Sequence, residues 1–140
     1  MEDLEIKSNG RFDFQPTSLD GLFVVLRKPV GDPRGFLCRL FCSEEFQATG
    51  LKKPIAQINY SYTAKKGSVR GLHFQYPPHA ECKLVGCLRG EVYDVALDLR
   101  KGSPTFLRWH GEVLSAANRK SLLIPEGFAH GFQTLVDDCE

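Results

Sequence analysis

Short runs of alternating apolar and polar residues, each bounded by turn-forming residues, dominate the chain. Strand side chains alternate between two faces, so such runs predict strands with one face toward a core. Residues 23–26 form an apolar run between Gly21 and Pro29 and suit a buried strand. Residues 56–62 alternate and place Gln57 and Asn59 on a common face. Residues 83–88 and 91–99 flank Arg89-Gly90, a pair that predicts a tight hairpin turn. In the second of these runs Tyr93, Val95, Leu97 and Leu99 share one face, and Asp94 and Asp98 share the other. Residues 105–114 and 121–124 continue the pattern, joined through Gly102-Ser103-Pro104 and Ala116-Ala117-Asn118. Gly31-Asp32-Pro33-Arg34-Gly35 reads as a turn cluster. One short helix is expected from Ser43 to Gly50, with a serine cap, acids in the first turn and a glycine stop. The sum is an all-β domain, a β-sandwich or barrel.

Length and composition narrow this little further. The 140 residues suffice for one domain, residues 1–140, with a single core. A net charge of +1 gives no electrostatic case for nucleic acid or an anionic membrane. No apolar run approaches the ~18 residues of a spanning helix. The start, Met1-Glu2-Asp3-Leu4-Glu5, is the reverse of a secretory signal. Five cysteines, odd in number and without a CxxC pair, read as reduced thiols of a cytoplasmic protein.

The candidate chemistry lies in two segments. Val69-Arg70-Gly71-Leu72-His73-Phe74-Gln75 and Pro125-Glu126-Gly127-Phe128-Ala129-His130-Gly131-Phe132 each set a histidine among apolar neighbours. Histidine titrates near neutrality and accepts a proton without large tuning. Brought together, the two segments offer a base and a cationic anchor for an anionic small molecule. Each residue also has a plainer reading: His73 and His130 as core histidines, Arg34, Arg70 and Lys83 as solvated charges, Gln57 and Asn59 as surface residues. Arg70 and His73 have opposite parity along a strand, so a shared pocket requires a bulge, and Gly71 is where one fits. A metal reading draws on Pro125-x-Gly127-x-x-His130, which resembles the second cupin motif, with Gly67, His73 and Glu81 as a degraded first motif. His73, Glu81 and His130 could then hold iron or manganese, although Gln75 stands where metal-binding cupins carry a second histidine.

Taken in order, the motifs resemble the dTDP-4-dehydrorhamnose 3,5-epimerase family. The resemblance runs from about Leu22 to the last residue. It rests on Gly31-Asp32-Pro33-Arg34-Gly35-Phe36, Gln57-Ile58-Asn59, the two histidine segments, Lys83-Leu84-Val85, Arg89-Gly90-Glu91-Val92-Tyr93-Asp94-Val95 and residues 98–106. It implies a cupin-type jelly roll, a homodimer, no metal and no organic cofactor. The implied substrate is a dTDP-4-keto-6-deoxy sugar, epimerised at carbons 3 and 5 by proton abstraction beside the ketone. His73 matches the family's general base and Lys83 the lysine near the keto oxygen. Arg70 and His130 match substrate contacts, Arg34 an arginine on the nucleotide side, and Gln57 and Asn59 a polar pair lining the pocket.

Two departures stand out. Arg39 occupies a position where many family members carry an acid. Family members also continue for several tens of residues past the point matching Glu140. The tyrosine that acts as general acid and the aspartate that pairs with the base histidine lie in that continuation. The chain therefore reads as the N-terminal majority of such an enzyme. The competing readings are a single-carbon epimerase and a non-catalytic cupin that binds a sugar nucleotide.

Overall fold

Alternation in the third and tenth strands separates two cores. Leu22, Val24, Leu122 and Ile124 belong to one buried cluster, and Phe23, Val25 and Leu123 to another. A sheet with apolar residues on both faces needs cover on both sides, and this chain supplies it. The computed structural model describes residues 5–140.

The strands in chain order are β1 (Lys7–Asn9), β2 (Phe12–Pro16), β3 (Phe23–Arg27), β4 (Val30–Asp32), β5 (Gly35–Leu37) and β6 (Val69–His73). They continue with β7 (Lys83–Gly86), β8 (Glu91–Asp98), β9 (Trp109–Ser115), β10 (Lys120–Ile124) and β11 (Phe128–Thr134). One sheet has the order β1-β2-β3-β10-β7 and the other β6-β11-β8-β9. All pairings are antiparallel. The sheets enclose the first core, where Val92, Ala96, Leu114 and Phe128 meet Val24, Leu122 and Ile124. This is the jelly-roll arrangement that the resemblance implies. The second core lies on the far face of the larger sheet, where Phe46 stands edge-on to Phe12 and Phe14, each at 5.0 Å between ring centroids.

Four local expectations need correction. Residues 56–62 form no strand; they lie exposed, and the bridge that follows them is made by Thr63, to Cys139. Alternation without a partner strand in reach leaves a segment unpaired. Arg89-Gly90 is not a hairpin turn, because β7 and β8 belong to different sheets. The chain crosses between them there, and Arg89 exchanges both backbone hydrogen bonds with Glu140. The strand expected from residue 105 begins at Trp109, since Thr105 turns inward to bond Asp98. The helix is a 3-10 turn, Glu45–Thr49, without a side-chain cap from Ser43. Its glycine stop holds: Gly50 ends it with φ of 84°.

The two-stranded hairpin of β4 and β5 joins neither large sheet. No helix among the described residues is long and apolar enough to cross a membrane.

Candidate functional site

The register between β6 and β11 decides which side chains meet. His73 pairs with His130 and Arg70 with Phe132, so two residues intervene on β6 against one on β11. That is a β-bulge, with Gly71 and Leu72 opposite Gly131. Cross-strand partners project to the same face. His130 and Phe132, two apart, share a face, so Arg70 and His73 share it too despite their opposite parity. The bulge required by the two side chains is therefore present. Glycine is needed at its centre: a Cβ on Gly131 would come within 2.6 Å of the Arg70 carbonyl oxygen.

The same face continues onto β8, where Ala96 lies opposite His130 and Asp94 opposite Phe132. Val92, Asp94, Ala96 and Asp98 are the buried residues of β8. The acidic side of this strand thus faces inward, while Tyr93, Val95 and Leu97 face out. Asp94 lies fully buried, and both its oxygens lie near His130 Nε2, at 2.8 and 2.9 Å. With the Nε2–H donated to the carboxylate, a neutral His130 ring presents Nδ1 as an acceptor. Burial pushes the Asp94 carboxyl above its ordinary range, opposed by the His130 hydrogen bond and the charges of His130 and Lys83.

Lys83 reaches this region from the other sheet. It pairs with Ile124, which points into the first core, so its side chain starts on the inner face. Its ammonium lies 3.6 Å from Glu81. Arg70 donates to Thr63 Oγ1 at 3.0 Å and to the Tyr62 carbonyl at 3.1 Å. These bonds tie the irregular segment after Asn59 to β6. His73 stays exposed and His130 is 9 % exposed, so one histidine is open to a ligand while the other is anchored beneath it.

The structure thus brings His73, His130 and Arg70 to the inner face of one sheet, with Lys83 starting from the inner face of the other. It does not bring the other three expected residues into that group. Arg34 lies on the β4–β5 hairpin with its guanidinium bound to Asp32 at 2.6 Å. Gln57 and Asn59 lie exposed on the unpaired segment. Among the described residues no three His, Cys, Asp or Glu side chains converge on a common point, so the alternative set of His73, Glu81 and His130 is not assembled. The residue that sequence reasoning passed over is Asp94. Its signal was an acid at strand parity with a second acid, on a strand destined to neighbour the His130 segment.

What the arrangement can do is proton chemistry: an exposed histidine and an anchored histidine with two cations nearby favour a bound anion and a developing negative charge. Comparison with known proteins agrees. The family model for dTDP-4-dehydrorhamnose 3,5-epimerase matches residues 16–140. A dTDP-4-dehydrorhamnose 3,5-epimerase of Shigella flexneri is 48% identical over 125 residues, which is 89% of this chain and 68% of that protein. The crystal structure of the Bacillus anthracis dTDP-4-dehydrorhamnose 3,5-epimerase with TDP and PPi bound superposes with a TM-score of 0.85 at 43% identity, covering 89% of this chain and 71% of that one. The Legionella pneumophila dTDP-6-deoxy-D-glucose-3,5-epimerase in complex with dTDP-4-keto-L-rhamnose gives 0.86 at 40% identity, covering 91% and 68%. With residues 16–140 matched by the family model and the structure superposing on solved members, the chain belongs to the dTDP-4-dehydrorhamnose 3,5-epimerase family.

Proposed function

We propose that this chain is an isomerase that epimerises a dTDP-4-keto-6-deoxy sugar at carbons 3 and 5, in deoxysugar synthesis of the dTDP-L-rhamnose type. The observation that carries the reading is the bulge-aligned row of His73 and His130 on one inner face, with Asp94 beneath. The ketone makes the hydrogens on its neighbouring carbons acidic. His73 removes one as general base, the electron pair moves toward the keto oxygen, and Lys83 stabilises the enolate. A proton then returns to the opposite face of the carbon. Asp94 fixes the His130 ring, which contacts the sugar. Arg70 contacts the substrate alongside His130, and Arg34 serves the nucleotide side, where a guanidinium suits a diphosphate because it donates two parallel hydrogen bonds. The resemblance assigns Gln57 and Asn59 to the pocket wall, and here they lie exposed on the unpaired segment that leads to the Arg70 contacts. The relatives extend past the matched region, and the resemblance assigns the second-face acid to a tyrosine there; Tyr60, Tyr62, Tyr76 and Tyr93 are not given that role.

The working form is a cytoplasmic homodimer. In support, Leu37 on the free hairpin is 75% exposed, Ile58 on the unpaired segment 85%, and Trp109 on the outer face of β9 61%. Large apolar side chains this exposed on three features call for cover, and a second copy supplies it. All five cysteines are free thiols, which fits a reducing compartment.

Incubation with the keto sugar in deuterium oxide tests the reaction. Deuterium is expected at carbons 3 and 5, and His73→Ala is expected to slow its entry by about 10²–10⁴-fold. Exchange at the wild-type rate in folded His73→Ala overturns the base assignment. Binding of dTDP with no exchange in the wild-type chain favours a sugar-nucleotide-binding module instead. Sedimentation at twice the chain mass is the result expected for the dimer.

A further inference from the structure

Residues 52–62 form a strap that is held unequally along its length. All of them are exposed, and their C-terminal end is tied at several points. Thr63 and Cys139 exchange both backbone hydrogen bonds, at 2.9 and 3.0 Å. The Tyr62 hydroxyl bonds the Asp138 carboxylate, and Arg70 reaches the Tyr62 carbonyl and the Thr63 hydroxyl. At the other end Leu51 packs on the second core. Between Leu51 and Tyr60 the strap makes one polar contact among the described residues: Lys53 Nζ donates to Glu126 Oε1 at 2.5 Å.

Both anchors belong to the strands that carry the histidines. Glu126 lies in the turn just before β11, which bears His130, and Arg70 lies on β6 with His73. From Glu126 to Phe132, the residue beside Arg70 in the sheet, the chain covers at most about 20 Å. From Lys53 to Tyr62 it can reach about 30 Å when extended. The strap therefore has about 10 Å of slack, and length alone does not set its path. Gln57 and Asn59 lie midway along it, where they depend on the Lys53 contact for their place.

We propose that Lys53 and Glu126 are positioning residues for the reaction: their ion pair draws the strap toward the start of β11 and keeps Gln57 and Asn59 within reach of a sugar bound at the histidines. The inference rests on the epimerase reading of that site. The pair acts through the two amides. An exposed ion pair contributes little to global stability, so its loss leaves the sheets intact and releases the strap alone. Wall contacts made equally to substrate and transition state act on KM and leave kcat in place.

The test compares Lys53→Met, Glu126→Gln and the swapped pair Lys53→Glu with Glu126→Lys in the intact chain, each checked for native circular dichroism. Deuterium entry into the keto sugar is followed as a function of sugar concentration. Each single variant is expected to raise KM about three- to fivefold with kcat within about twofold, and the swapped pair to restore KM. The sign at Glu126 is diagnostic. Removing a carboxylate lowers KM for an anionic substrate if charge alone matters, whereas a released strap raises it. An unchanged or lowered KM in Glu126→Gln overturns the proposal, and so does a swapped pair that stays as weak as the single variants. A second readout needs no turnover. The side-chain amide NMR signals of Gln57 and Asn59 are expected to move in Glu126→Gln and to move back in the swapped pair, while the β8 backbone signals stay. A wild-type chain without deuterium exchange overturns the epimerase reading, and the amide signals still decide the tether: unmoved signals in Glu126→Gln overturn it.

Discussion

Asp94 and Asp98 stand on the same strand and the same inward face, four residues apart, both without exposed surface. Their surroundings differ completely. Asp98 accepts from the Arg100 backbone N–H at 2.9 Å and from its guanidinium at 3.0 Å, and takes the hydroxyls of Ser103 and Thr105, each at 2.7 Å. Burial alone would raise its pKa, but these bonds together outweigh it and hold the carboxyl well below the usual range. Asp94 has His130 as its hydrogen-bond partner, and there burial wins. The difference separates a carboxylate that closes a turn from one that poises a histidine. A fully satisfied buried charge is a structural fixture; a buried charge with a single titratable partner is held ready for chemistry.

The largest expected effect comes from breaking the structural member of the pair. Asp98→Ala leaves the Arg100 guanidinium, two hydroxyls and a backbone N–H without their acceptor. A loss of about 3–5 kcal/mol is expected, read as a lower urea midpoint. Below that midpoint the folded fraction should keep its kinetic constants. A variant as stable as the wild type would remove the distinction between the two carboxylates.

The mirror experiment is Asp94→Asn. The side chain keeps its shape and still accepts from His130, and the penalty of a buried charge disappears. Stability should change by less than about 1 kcal/mol, while kcat falls on the order of 10²-fold. Because Asp94 acts through His130, the pH profile of kcat/KM should move as well, which a purely structural role would not produce. A variant that loses stability and leaves the profile unchanged places Asp94 with Asp98.

Gly131→Ala sharpens the contrast from the backbone side. The new Cβ would meet the Arg70 carbonyl at 2.6 Å across the bulge, and the two strands must part. A cost of about 1–3 kcal/mol is expected, together with roughly tenfold lower kcat as the His73–His130 register loosens. The turn around Asp98 should keep its protection in hydrogen exchange. Uniform loss of protection at both ends of β8 would show that the bulge supports the whole sheet rather than the site.

Much of this was legible in the sequence, for identifiable reasons. Residues 121–124 declared a strand by their apolar run, and the Gly71 bulge followed from two side chains of opposite parity that needed one pocket. The crossover at Arg89-Gly90 was hidden because the same residues serve a hairpin and a passage between sheets. The deciding partners, β10 for β7 and β11 for β8, lie thirty or more residues away. Asp94 was hidden by hydrophobicity itself. Tyr93, Val95 and Leu97 look like the core side of β8, yet they face outward and the acids face in. Where a sheet's inner face carries a site, the polar side of the alternation is the buried one, and only the position of His130 tells which reading applies.

The smallest effect, on the order of 1 kcal/mol, lies in the acid limb of stability and separates the two carboxylates by sign. Asp98 has a folded pKa below its ordinary 3.8. Its contribution is present above that value and is lost as pH falls toward the depressed one. Asp94 has a folded pKa above 3.8. Between the two values the native state holds a proton that the unfolded chain has released, so stability falls as pH rises through that window. Urea midpoints measured from strongly acidic to neutral pH should therefore change in opposite ways for the two asparagine variants. Asp94→Asn should remove a decline just above pH 3.8, and folded Asp98→Asn should flatten the loss below it. Parallel curves for both variants would mean that the two aspartates titrate alike, and that the single histidine partner of Asp94 does not set it apart.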